Sequence, residues 1–196
     1  MPRADCCCLV RGLPDEYPAC GDVGVLVVDT EAAFVALVDV LGHGREADAL
    51  ATEIAAFLRD KSGGELPEVM QALHEHLKGS RGAVAFLGRL DLPTGLFAYV
   101  GIGNISAKVF GPQPALRLGS RDGIVGYMMG TPKLQSVRIA PRDIVLLCSD
   151  GIRDNFDPLE FPGIFRGEAS DIAETVLQTL AKGNDDASCL VLRYLR

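Results

Sequence analysis

A chain of 196 residues, 48% hydrophobic and 23% charged, has the length and composition of one soluble globular domain with a sizeable core. Its formal net charge of -7 argues against the basic surface of a nucleic-acid-binding domain, and no apolar run reaches the roughly 18 residues of a membrane span. The start, MPRADCCCLVRG, has neither a long apolar segment nor a small-residue cleavage site, so the expectation is a cytoplasmic protein whose partners are neither nucleic acid nor membrane.

In chain order, three strands are expected first, over about Cys6–Arg11, Val23–Asp29 and Ala33–Val40. The last two are joined by the polar turn Asp29-Thr30-Glu31, a hairpin signal. From Arg45 to about Arg59, apolar residues recur at helical spacing, with Glu46 and Asp48 in the first turn, where the helix dipole favours negative charge. Gly63-Gly64 close that helix, and a second runs from about Pro67 to Lys78 with Val69, Leu73 and Leu77 on one face. His74 and His76 on this helix read as surface residues. Two strands then flank the turn LPTG, and a third follows Gly103-Asn104. Frequent Gly and Pro from Gly111 to Pro141 predict irregular loop with short strands, before an apolar strand at Ile144–Cys148 and a loop to Gly167. Ser170 is placed to cap a helix running to Ala181, and Ala187–Leu195 is the last strand. Strands do not alternate regularly with helices, so the fold class is α+β, with helices outside largely antiparallel sheets.

None of the six cysteines forms a C-x-x-C pair, which argues against structural zinc. Cys148 and Cys189 lie in apolar runs as small hydrophobes, and Cys6, Cys7 and Cys8 would alternate faces of a strand. The stronger signal is aspartate at strand ends: Asp22 in CGD, Asp39 in VDV, Asp150 in CSDG, and Asp185-Asp186 after Asn184. One such aspartate is most simply a turn former or helix cap. Four segments together would repel one another unless cations or protons neutralise them. An all-oxygen set without a Cys or His pattern suits magnesium or manganese. Small residues beside these aspartates (Gly42, Gly44, Gly151) leave room for an ion and its water.

The segment DVLGHGREA, Asp39 to Ala47, resembles the D-V-x-G-H-G-x-x-A motif of the bacterial PPM phosphatases, the metal-dependent serine/threonine phosphatases related to type 2C, and in particular their SpoIIE branch. CGD, RGAVAFL, AYVGIGNI, CSDGI and NDDASCLVL follow in the order of that family's other motifs and span Gly21 to Leu192. The short length is similar to that of the small stand-alone members that reset the bacterial stressosome. The resemblance implies a single minimal domain over residues 1–196, built as a four-layer α-β-β-α sandwich of two antiparallel sheets flanked by helices. It implies two Mn2+ or Mg2+ ions, with Asp39 bridging both, the Val40 carbonyl on one, and Asp150 and Asp185 as further direct ligands. Asp22 would act through metal-bound water, and Asp186 would support; which of Asp185 and Asp186 is the direct ligand stays open. Asn104 stands where many relatives supply an aspartate to a third ion, so that ion is expected to be weak or absent. Tyr17 occupies the position of the type 2C phosphate-binding arginine. Arg81 or Arg45 could replace it, but the phosphate-binding residue is unassigned.

The resemblance further implies hydrolysis of phosphoserine or phosphothreonine by an activated water, on phosphorylated STAS-domain proteins of the stressosome. His43 is either the acid that protonates the leaving oxygen or a turn histidine bonded to backbone. Two other functions remain open: a docking module that has lost catalysis, and a phosphatase for small phosphoesters.

Overall fold

The computed structural model describes residues 3–111 and 114–195. Two five-stranded antiparallel sheets lie face to face. The first has the order β1-β12-β11-β6-β7, from β1 (Arg3–Arg11), β6 (Ser106–Phe110), β7 (Leu116–Arg117), β11 (Ile144–Cys148) and β12 (Ala187–Leu195). The second has the order β10-β5-β4-β3-β2, from β2 (Asp22–Val28), β3 (Ala32–Val40), β4 (Ala83–Asp91), β5 (Leu96–Ile102) and β10 (Gln135–Arg138). A hairpin of β8 (Gly123–Ile124) and β9 (Met128–Met129) stands apart.

Period-2 alternation explains the layering. On β3, Phe34, Ala36, Val38 and Val40 pack outward with α1 (Arg45–Asp60) and α2 (Leu66–His76), while Ala33, Val35 and Leu37 point inward. The inward set meets Ala107, Val109, Val145, Leu147, Leu190 and Leu192 of the first sheet, forming the core between the sheets. α3 (Ala169–Leu180) covers the other face of the first sheet through Ile172, Val176 and Leu180. This is the expected four-layer α-β-β-α sandwich.

Local chemistry matches most expected elements. The β2–β3 turn is closed by Asp29, whose Oδ1 accepts the N–H groups of Glu31 and Ala32 at 2.7 and 2.8 Å. Cys6 and Cys8 pack against the inter-sheet core and Cys7 against the α3 side, and all six cysteines are free thiols.

Two expectations need correction. Ser170 does not cap α3: Glu168 does, in a reciprocal capping box with Asp171, because a carboxylate three residues on returns the bond to the N-cap N–H. His74 is not a surface residue. It is buried, and its Nδ1 accepts the Gly126 N–H at 3.0 Å, tying the β8–β9 hairpin to α2. His76 is exposed, stacked on Phe57 and paired with Glu53 at 2.8 Å. No helix among the described residues is long and apolar enough to cross a membrane.

Candidate metal centre

The alternation that builds the inter-sheet core also determines how it ends. Asp39 continues the inward series of Ala33, Val35 and Leu37, so its carboxylate emerges at one end of the layer between the sheets. Asp22 opens β2 directly opposite Asp39 in the antiparallel register. Paired residues of this kind share a face with Cβ atoms roughly 5 Å apart. On the other sheet, Ser188 and Asp186 continue the inward series of Leu192 and Leu190, and Ser149 follows Leu147. One end of an apolar layer therefore finishes in carboxylates and two buried hydroxyls.

Asp39, Asp150, Asp185, Asp186, Leu41, Gly42, His43 and Asn104 line an open cleft of about 560 Å3, with the Asp122–Ile124 segment along one wall. Asp22 is buried behind it, 3% exposed, and its Oδ2 has no hydrogen-bond partner. The Ser149 and Ser188 hydroxyls lie beside the Asp22 carboxylate and favour its charged form, yet Ser188 Oγ makes no bond of good geometry. Burial and the neighbouring Asp186 and Asp150 outweigh them and hold Asp22 up at about 6. Asp39 is pushed up to about 8, first by burial and then by repulsion from Asp22, Asp150, Asp185 and Asp186.

A protein that places like charges together in this way without a compensating cation must keep protons on them. An orphaned buried carboxylate oxygen and an all-oxygen donor set fit a hard divalent cation. Among the described residues, no three His, Cys, Asp or Glu side chains stand in a ready-made coordination geometry.

The two adjacent aspartates differ sharply. Asp186 is buried, and its Oδ1 and Oδ2 accept the N–H groups of Leu13 and Gly21 at 3.1 and 2.6 Å. It clamps the loop that precedes Asp22. Asp185 is exposed at the cleft, and its Oδ1 accepts the Asp186 N–H at 2.9 Å, leaving Oδ2 for another partner. Asn104 donates its amide to Asp150 Oδ2 at 3.1 Å, so it orients that carboxylate. Val40 contributes no side chain to the cleft: it is 1% exposed, with its N–H bonded to Gly21 O at 3.1 Å.

Glycines permit the close approaches. A Cβ on Gly151 would stand 1.9 Å from the Asp186 carbonyl oxygen, so the Asp150 turn can pack against the Asp185-Asp186 segment only with glycine there. Gly42 has φ +82, and a Cβ on it would lie 2.7 Å from the Arg81 guanidinium. Arg81 thus reaches over Gly42 at the cleft rim, ion-paired with Glu46. Arg45 faces a separate cavity with Asp15, Tyr17 and Asp48. His43 Nδ1 pairs with Glu16 Oε1 at 2.6 Å, so its ring is bonded to a side chain and not to backbone. Sequence reasoning missed Glu16 entirely. Cys148 next to Ser149-Asp150 is buried, and burial holds its thiol well above the ordinary value, which leaves no thiolate for nucleophilic attack.

Residues 29–195 match the family of stage II sporulation protein E (SpoIIE). A curated relative, phosphoserine phosphatase RsbX of Bacillus subtilis, is 24% identical over 121 residues, which is 58% of this chain and 56% of the relative, so the alignment spans little more than half of that protein. Among solved structures, a chain from work on the bacterial stressosome, described as a modular system adapted to control secondary messenger signaling, superposes with a TM-score of 0.88 at 28% identity over 97% of this chain and all of that one. RsbX in complex with magnesium superposes at 0.84 with 15% identity, over 98% of this chain and 96% of that one. The catalytic domain of the serine/threonine phosphatase PstP, bound to two manganese ions, superposes at 0.71 with 14% identity over the whole of both chains. With a match that runs through every strand from β3 to β12, the chain belongs to the SpoIIE family and has the PPM phosphatase fold.

Proposed function

We propose that the chain is a metal-dependent phosphoserine and phosphothreonine protein phosphatase, acting on phosphorylated STAS-domain proteins of a bacterial stressosome. One observation carries the reading: Asp22 and Asp39 face each other at the end of the inter-sheet layer, with Asp150 and Asp185 at the same cleft, in an array that repels itself unless cations enter. The likeness to RsbX and to a stressosome chain supports the substrate class.

Asp39, Asp150 and Asp185 would hold two Mn2+ or Mg2+ ions directly, with Asp22 behind them accepting from water and the Val40 carbonyl at the edge. Bound ions would supply charge neutralisation and an acidified water as nucleophile. The residues of the chain do the rest. Asn104 fixes the rotamer of Asp150 through its amide bond. Arg81 places positive charge at the rim beside Gly42, where a phosphate dianion would dock. His43, which lines the cleft, donates a proton to the departing seryl or threonyl oxygen. The open cleft leaves room for a phosphoserine on a folded protein.

The test is phosphate release from a phosphorylated STAS-domain protein with Mn2+ present. The expected result is turnover that chelator abolishes and that Asp39→Asn lowers by roughly a hundred- to a thousandfold, the scale of losing an electrostatic catalytic element. Equal turnover by Asp39→Asn, or turnover in chelator, would overturn the assignment.

A further inference from the structure

Glu16 lies outside every motif and outside the carboxylate array, yet among the described residues it is the side chain that bonds His43. Its Oε1 stands 2.6 Å from His43 Nδ1. Its Oε2 is buried without a hydrogen-bond partner and lies 3.3 Å from where a Cβ on Gly44 would stand. Gly44 has φ 81 and ψ -167, a conformation open essentially only to glycine, so the backbone beside His43 is shaped to admit this carboxylate.

Glu16 is also fixed in place from its own side. It ends the short 3-10 turn Pro14–Glu16, its N–H bonds Leu13 O at 3.0 Å, and its carbonyl accepts the Ala19 N–H at 2.9 Å. Leu13 N–H is in turn held by Asp186 at 3.1 Å. The carboxylate that clamps the loop at the acidic end therefore also anchors the turn that presents Glu16 to His43.

From this geometry we propose that Glu16 is a positioning residue: it fixes the His43 ring by accepting a hydrogen bond from Nδ1–H, so that Nε2 is the atom offered to the cleft. The inference rests on the phosphatase reading and deepens it. In the step concerned, the imidazolium with Nδ1–H bonded to Glu16 gives its Nε2 proton to the seryl oxygen as the P–O bond breaks. The bonding pair goes to that oxygen, the serine leaves as the neutral alcohol, and the neutral ring keeps its Nδ1–H on Glu16 until solvent restores the second proton. A carboxylate behind a histidine is a general device for fixing its tautomer and orientation.

The test compares a phosphoserine protein, whose alkoxide leaves poorly unless protonated, with p-nitrophenyl phosphate, whose phenolate leaves without help. In Mg2+-loaded protein, Glu16→Ala is expected to lower kcat on the phosphoprotein about 10- to 100-fold, the usual cost of losing such a partner, and to lower it on p-nitrophenyl phosphate about tenfold less. His43→Gln should show the same bias, and the double variant should be no worse than His43→Gln. Equal losses on both substrates, or additive effects, would make Glu16 a structural ion pair and overturn the proposal. A second readout does not use activity: 15N NMR of the His43 ring should show Nδ1 protonated in the parent and the tautomer mixture changed in Glu16→Ala. If the parent protein releases phosphate from neither compound, the phosphatase reading fails, and the NMR result alone judges the dyad: an unchanged ring spectrum in Glu16→Ala refutes it.

Discussion

Removing divalent cations should make the stability of the protein fall as pH rises through neutrality. In the cation-free fold, Asp39 sits at about 8 and Asp22 at about 6, against an ordinary value of 3.8. Both are raised, so between about pH 4 and pH 8 the folded cluster holds protons that the unfolded chain has released. Stability then declines with pH, by about 1.4 kcal/mol per unit for each proton held. These groups titrate as a set, so the sum is best taken as one proton between about pH 5 and 7, about 3 kcal/mol at most. For a chain of this size that is roughly 6 to 12 °C in Tm. The assay is thermal or urea unfolding in chelator from pH 5 to 8.5, beside Asp39→Asn. The variant is isosteric and cannot ionise, so its profile should be flatter, and at pH 8 in chelator it should be the more stable protein. Saturating Mn2+ should reverse the order, because binding to the folded state alone adds stability by mass action. A pH-independent profile for the chelated parent, or one that Asp39→Asn leaves unchanged, would refute the argument that the carboxylates repel one another.

Three further outcomes follow from individual contacts. Gly151→Ala places a Cβ 1.9 Å from the Asp186 carbonyl oxygen, and should cost about 2 to 3 kcal/mol in urea unfolding and weaken Mn2+ binding measured by calorimetry. Cys148→Ala should cost about 1 kcal/mol as a small buried truncation and leave kcat within about twofold, since the thiol takes no part in the chemistry. His74→Ala removes the acceptor for Gly126 N–H, and should cost about 1 to 3 kcal/mol and speed hydrogen exchange at Gly126 in particular.

What could be read from the sequence was what depends on short range. Two apolar runs around the polar turn Asp29-Thr30-Glu31 marked β2 and β3, with Asp39 at the end of the second run, and the aspartates at strand ends, in motif order, grouped Asp22, Asp150 and the Asp185-Asp186 pair. Helix periods located α1, α2 and α3 within a residue or two of their ends. The parts that stayed hidden depend on chain segments far apart. Asp186 meets Leu13 across 173 positions, and Glu16 meets His43 across 27, and no local pattern encodes either distance. His74 looked exposed because a polar residue near a helix end normally is; only the docking of the β8–β9 hairpin buries it. Ser170 lost the cap to Glu168 because the carboxylate that returns the reciprocal bond, Asp171, stands three residues after Glu168, whereas the third residue after Ser170 is Ala173, which has no group to return it. The Asn104 amide suggested a weakened third ion; its observed bond to Asp150 Oδ2 gives it a different use, orienting a carboxylate.

Whether Asp22, Asp39, Asp150 and Asp185 converge on two cations is decided by a crystal structure of Mn2+-soaked protein with anomalous scattering recorded at the manganese edge. Two anomalous peaks roughly 3.5 to 4 Å apart are expected, with Asp39 touching both and Asp186 still bonded to the Leu13 and Gly21 N–H groups. Peaks elsewhere, or a cleft that takes up no manganese at saturating concentration, would contradict that convergence.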